Sequence, residues 1–246
     1  MNPEKLIEAG IAAQQVGNYA EAETIWRRFL KHDPHNPHNA YLYVKLGLTL
    51  EFQGQAEEAI SAYQNSIAID PRYSAAYINM GSALADQQRF EEATAAYQLA
   101  IELDHSLPHP HMGLAMVLVQ QGKYEEAITS FHLAINLDPQ SVAAHYHLGL
   151  ALNKQGRYED ASRVLQRTIE LDPNLAPAYH YLGQVLGNQG KFDEAIVAFE
   201  RTIELDPSNF NAHFNLGFVL NAVDRVAEGT AAIQKALSLK REQTAQ

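Results

Sequence analysis

Residues 176–207 read APAYHYLGQVLGNQGKFDEAIVAFERTIELDP, and this stretch decides which fold we predict. Apolar and small residues recur in it at helical spacing, first over residues 179–186 and again over residues 192–203. Gly190 lies between the two runs, where a glycine can adopt the left-handed conformation that ends a helix. Pro207 closes the stretch, because proline cannot continue a helix. The stretch therefore predicts two helices joined by a tight turn.

The same pattern recurs along nearly the whole chain at a spacing of 34 residues. Asp-Pro pairs mark the steps, with Asp104-His105 in place of one pair and an early Asp33-Pro34 that precedes the next pair by 37 residues. We number the positions within each repeat so that the proline lies at position 32. Alignment on these pairs gives seven repeats, which span residues 3–36, 40–73, 74–107, 108–141, 142–175, 176–209 and 210–243.

Small residues occupy three fixed positions of the repeat. Glycine fills position 8 in six repeats and position 15 in five, and alanine fills position 20 in six. Eleven of the 14 glycines lie at positions 8 and 15, so few remain to build a phosphate-binding loop.

Acidic residues also follow the repeat. Acid pairs at positions 18 and 19 lie at the predicted start of the second helix, where the helix macrodipole favours negative charge. With the aspartates at position 31, Glu21 and Glu228, they account for 18 of the 29 acidic residues. We interpret most of this charge as helix capping, and the alternative is an acidic docking patch.

Composition excludes several classes of protein. The 246 residues are 46% apolar and carry a net charge of −11, which argues against a disordered chain and against a nucleic-acid binder. The absence of cysteine excludes disulfides, thiolate metal sites and cysteine nucleophiles. The longest apolar run, residues 113–119, is too short to span a bilayer, and we expect no secretory signal, because the first ten residues carry acids and no apolar core. We therefore expect a cytoplasmic protein.

The 34-residue unit resembles the tetratricopeptide repeat (TPR), with small residues at positions 8 and 20 and proline at position 32. The resemblance covers residues 3–243 and implies an all-α fold, a right-handed α-α superhelix that forms a single solenoid domain over residues 1–246. It also implies that positions 2, 5, 6, 9, 12 and 13 line a concave groove. On that basis we expect partner-binding residues in both halves of the groove. The N-terminal half is apolar, although it also contains Asp86, and its expected residues are Tyr41, Val44, Lys45, Leu48, Phe52, Ile78, Asn79, Met112, Met116 and Val119. The C-terminal half is polar and aromatic, and its expected residues are Tyr146, His147, Asn153, His180, Tyr181, Gln184, Asn215 and Phe218.

The first hypothesis for function is a non-catalytic scaffold or adaptor that binds a partner peptide or helix in this groove. Methionines favour a helix in the first half, and amide side chains favour an extended chain in the second. The alternative interpretation is that Leu48, Met112 and Val119 only pad contacts between neighbouring first helices.

Two other hypotheses remain. One is a self-assembling module, because Ala236, Leu237 and Leu239 are expected on an uncapped last repeat where a further repeat would stack. The other is a subunit that recruits substrates for a separate enzyme.

The sequence predicts no catalytic, cofactor or metal site. Among the 11 histidines, His109 with His111 and His145 with His147 are two apart, so they point to different sides of a helix. We interpret His111, His145 and His213, all at position 4, as core replacements for an aromatic residue. No metalloprotease, Walker, Rossmann or nucleophile-elbow motif is present.

Overall fold

The computed structural model describes residues 3–32, 36 and 38–244, and the early Asp33-Pro34 pair lies outside them. The described residues form fourteen α-helices and no strand, which confirms the all-α repeat fold. The helices are α1 (Pro3–Gln15), α2 (Tyr19–His32), α3 (Asn39–Phe52), α4 (Ala56–Ile69), α5 (Ser74–Asp86), α6 (Phe90–Leu103), α7 (Pro108–Gln120), α8 (Tyr124–Leu137), α9 (Val142–Lys154), α10 (Tyr158–Leu171), α11 (Ala176–Asn188), α12 (Phe192–Leu205), α13 (Phe210–Ala222) and α14 (Val226–Thr244).

The turn between the two helices of each repeat depends on one left-handed residue. Position 15 has a positive φ in every repeat, between 59° and 77°. Five of these residues are glycines, as the sequence predicts, but Gln88 (φ 59°) and Asp224 (φ 62°) adopt the same conformation. The tight turn is therefore kept even where the side chain disfavours it.

Close approach of the two helices explains the small residues. A Cβ at Gly183 would lie 2.7 Å from Cε1 of Phe199, the position-24 residue of the same repeat, and Gly47 meets the ring of Tyr63 in the same way. The alanines at position 20 are fully buried in all six repeats that have one. Glycine at position 8 thus admits a large side chain from the second helix, which fills the interior of the hairpin.

The turn between repeats is stabilised by two recurring contacts. The carboxylate of Asp172 at position 31 accepts a hydrogen bond of 3.0 Å from the backbone N–H of Asn174. The Tyr179 hydroxyl at position 4 donates to the carbonyl of Pro173, 3.2 Å away. His213 makes the equivalent contact through Nε2, 3.1 Å from a proline carbonyl, and is only half-buried. The prediction of a core histidine is confirmed for the buried His111 and His145. The ring of His213, on α13, instead contacts the turn that precedes its helix.

Polar contacts also join neighbouring repeats. Nε2 of Gln53 at position 14 donates to Glu23 of the preceding repeat over 3.0 Å. Arg157 at position 16 lies 2.7 Å from Asp160 of its own repeat and 3.9 Å from Glu125 of the preceding one. The acids at positions 18 and 19 lie in the first turn of the second helix, as predicted, and some of them also contact the next repeat.

The chain divides into two compact units, residues Met1–Lys123 and Tyr124–Gln246. In the first unit, α3 contacts α5 and α5 contacts α7; in the second, α9 contacts α11 and α11 contacts α13. First helices of successive repeats therefore lie side by side within each unit.

The last repeat differs from the prediction. Helix α14 extends over 19 residues, whereas the other second helices have 14. Ala236 and Leu239, expected on an open end, are buried, because α14 packs against α13. Of the three residues expected there, only Leu237 is exposed.

Candidate functional site

The first helices of the third and fourth repeats border an open cavity in the first unit. Its volume is about 820 Å³, and its walls come from α5 and α7, with a floor from α6. Most lining residues occupy positions 2, 5, 6, 9, 12 and 13, the positions expected to face the groove. They are Ile78, Asn79, Ser82, Ala85, Asp86, Gln88, Phe90, Tyr97, His109, Met112, Gly113, Met116, Val117 and Gln120.

Gly113 and Tyr97 give this cavity its depth. A Cβ at Gly113 would lie 2.5 Å from Cζ of Tyr97, so only glycine at position 6 leaves room for the ring of the preceding repeat. The Tyr97 hydroxyl is 2.9 Å from the Ser82 hydroxyl. Burial raises the pKa of Tyr97 above its ordinary value, so this phenol stays protonated at neutral pH.

Four of the ten residues predicted in the N-terminal half line the cavity, namely Ile78, Asn79, Met112 and Met116. The Met116 side chain is 42% exposed, whereas Ile78, Asn79 and Met112 are half-buried. Val119 is half-buried and lies outside the cavity lining.

The residues predicted on α3 do not line the cavity. Val44 is buried, and Leu48 is half-buried. The exposed Phe52 ring stacks on Tyr19, with centroids 4.8 Å apart. Lys45 Nζ lies over the Tyr41 ring, 5.3 Å from its centroid. In the second repeat, the predicted groove residues Tyr41, Lys45 and Phe52 therefore have ring contacts within the first unit.

A smaller cavity of about 300 Å³ lies in the second unit, between α11 and α13. Three residues predicted for the C-terminal half line it, namely Gln184, Asn215 and Phe218. Two of them are amides, and the third is an exposed phenyl ring. The full lining consists of Gly183, Gln184, Gly187, Asn188, Phe192, Phe199, Asn215, Phe218 and Val219.

The other predicted residues of this half form an aromatic row on α9 and α11. Tyr146 lies edge-on to Tyr181 at 5.9 Å and to His147 at 5.2 Å. Burial, with a smaller contribution from Tyr181, raises the pKa of Tyr146 to about 12. Asn153, near the end of α9, is half-buried.

His180 is buried, which the sequence does not indicate. Its ring lies edge-on to Phe199 at 5.8 Å, its Nε2 is 3.0 Å from Nε2 of Gln184, and its Nδ1 has no hydrogen-bond partner. Burial lowers the pKa of both His180 and His147 below the ordinary value. Both rings are therefore kept neutral at neutral pH.

Sequence reasoning missed the cavity floors. Tyr97 and Phe199 occupy position 24, which the periodicity assigns to the hairpin interior, yet both line cavities. Gly113 and Gly183 could have indicated this, because a Cβ at either glycine would meet the ring beneath it, Tyr97 or Phe199 respectively.

The described part of the chain contains no group of three or more histidine, aspartate or glutamate side chains arranged to hold a metal ion. Within the same residues, no helix combines the length and apolar character that crossing a bilayer requires.

Tandem helical hairpins with a left-handed residue at position 15 and small residues at positions 8 and 20 define a TPR solenoid. Proteins of this class are protein-interaction scaffolds and typically lack catalytic activity. The family model described as Cilia and flagella-associated protein 70 C-terminal domain matches residues 1–214, and the chain therefore belongs to this TPR family.

Solved structures agree with this assignment, whereas no curated protein sequence matches the chain. MamA is 28% identical, with a TM-score of 0.66 over 68% of this chain and 98% of MamA. A tetratricopeptide repeat protein from Parabacteroides merdae ATCC 43184 is 20% identical, with a TM-score of 0.72 over 96% of this chain and 92% of its own. YrrB, described as a TPR protein with an unusual peptide-binding site, is 19% identical, with a TM-score of 0.64 over 76% of this chain and 95% of YrrB.

Proposed function

We propose that this scaffold binds a peptide segment of a partner protein in the cavity between α5 and α7. The observation that supports this most is the cavity itself. At about 820 Å³ it is large enough to hold several side chains of a bound segment. Its walls include the apolar side chains of Ile78, Met112 and Met116 among polar ones, and apolar surface that the fold does not need is typical of interaction sites.

The lining suits a helical segment. Met112 and Met116 are one helical turn apart on α7, and their flexible thioethers can adapt to different apolar side chains. Ile78 faces them from α5 across the cavity. A partner helix that presents apolar residues at helical spacing would bury this surface.

The second unit offers a surface of different chemistry. Gln184, Asn188 and Asn215 can each donate and accept hydrogen bonds, which suits the backbone of an extended chain. Phe218, beside them, can pack on one of its side chains. We propose this as a secondary contact.

The test is selection from a random-peptide library on the immobilised full chain. The variant M112S/M116S removes apolar side chains from the cavity and is expected to retain few of the peptides that the unchanged protein selects. The matched control is I69S/L99S, because Ile69 and Leu99 are 38% and 43% exposed in the same unit but lie outside the cavity. Equal retention by both variants, with equal helicity, would contradict the proposal.

Self-association is a second candidate, supported by the exposed Leu237 alone. Light scattering over a concentration series, with Leu237→Ser as the comparison, tests it. A constant monomeric mass at every concentration would exclude it.

A further inference from the structure

The cavity of the first unit carries a single carboxylate. Asp86, the last residue of α5, is the only acidic residue among those that line it, and neither lysine nor arginine lines it. Asp86 is exposed, and no ion pair within the described residues includes it. A negative charge therefore stands beside the apolar side chains of this cavity, and no lysine or arginine lines the cavity with it.

The surroundings reinforce this charge. Asp86 lies at the C-terminus of α5, where the helix macrodipole adds partial negative charge. Glu51 lies near: its pKa is raised chiefly by burial and further by the charge of Asp86. The charges of both carboxylates also contribute to the raised pKa of Tyr97 on the cavity floor. The cavity thus has apolar side chains on its walls and is electronegative at one edge.

We infer that the segment bound here carries a lysine or arginine whose stem packs on Met116 while its charged head pairs with Asp86, and that apolar residues of the same segment pack on Ile78 and Met112. This inference rests on the proposed function and names the chemistry of the partner. Long basic side chains combine an apolar stem with a cationic head, which matches these two parts of the cavity. Charge complementarity of this kind selects partners by sign.

Other occupants fit less well. An acidic segment would meet repulsion from Asp86 and Glu51. A purely apolar side chain would cover the Asp86 carboxylate and remove its water without supplying a partner. A second copy of this chain would bring a further net charge of −11.

The test compares the peptides selected by the unchanged protein, by D86N and by E102Q. Glu102 is exposed and lies outside the cavity, so E102Q removes the same charge without changing the site. We expect the unchanged protein and E102Q to enrich peptides with a basic residue beside apolar ones, and D86N to lose that enrichment. The affinity of a selected peptide should fall roughly 1.5-fold to fivefold in D86N and stay unchanged in E102Q.

Charge reversal completes the experiment. D86K should bind a selected peptide poorly but recover binding when the basic residue of that peptide is replaced by glutamate. Peptides that depend on Met112 and Met116 but show no basic enrichment would overturn this inference and leave the proposed function standing. Selected peptides that bind M112S/M116S unchanged would overturn both.

Discussion

Gln88 shows how strictly the hairpin turn is specified at the level of one residue. It adopts φ 59° although only glycine reaches this region without steric cost. The left-handed conformation costs a residue with a side chain about 1–2 kcal/mol. Glycine avoids this cost but loses about 0.5–1 kcal/mol more in backbone entropy when the chain folds. We therefore expect Gln88→Gly to raise the free energy of unfolding by about 0.5–1 kcal/mol, measured by urea denaturation.

The neighbouring residue supplies the control. Gln87 has φ −84°, so Gln87→Gly gains no relief of strain and should lower the free energy of unfolding by about 0.5–1 kcal/mol. If both variants change stability in the same direction, the turn is not under the strain described.

His180 makes stability depend on pH. In the folded protein, burial lowers its pKa below the ordinary value of 6.5, whereas the unfolded chain takes up a proton as the pH falls through that value. The stability that the neutral, buried His180 contributes is therefore fully present above pH 6.5 and is lost as the pH falls below that value. His180→Phe should show a shallower fall in Tm between about pH 7 and about pH 5.5, with the remaining slope due to His147 and other groups. Identical slopes would show that His180 is not the cause.

At the scale of the element, the hairpin is stabilised by the stripe of buried residues on each helix. Leu148 on α9 is 1% exposed, and Leu133 on α8 of the same unit is 44% exposed. Leu148→Ala should lower the free energy of unfolding by about 2–5 kcal/mol, because it leaves a cavity in the core. Leu133→Ala should cost less than about 1 kcal/mol, and a similar loss in both variants would contradict the position assignments.

The helices themselves were predictable because their determinants are local and repeated seven times. Glycine at position 15, alanine at position 20 and proline at position 32 each act within one repeat, and α1, α5, α7, α9, α11 and α13 begin at the predicted position 1. The burial of Ala236 and Leu239 was not predicted, because it depends on the added length of α14 and its packing on α13.

The candidate site was predictable only in part, because lining a cavity depends on pairs of repeats. Position 5 holds Val44, Ile78 and Met112 in successive repeats, yet Val44 is buried whereas the other two line the cavity. Position 6 also differs, with Lys45, Asn79 and Gly113 in successive repeats. Only the glycine leaves room for the Tyr97 ring beneath it, and that contact joins residues of different repeats.

At the scale of the whole molecule, the net charge of −11 acts on any basic partner in addition to Asp86. Salt screens such attraction, with a Debye length near 10 Å at about 0.1 M. The affinity of a selected basic peptide should therefore fall as ionic strength rises from about 0.05 M to about 0.5 M, as followed by calorimetry. A peptide with norleucine in place of its basic residue should lose much less affinity over this range, and an equal loss would show that the charge plays no part.

The central claim is that the cavity between α5 and α7 is where this scaffold binds its partner. The most direct measurement is NMR of the full chain labelled with ¹³C at its methionine methyl groups, titrated with a selected peptide. Met112 and Met116 line the cavity, whereas Met80 lies on α5 outside its lining. We predict that the Met112 and Met116 signals shift as the peptide saturates and that the Met80 signal changes little. Saturation of the peptide with the Met112 and Met116 signals unmoved would contradict the account.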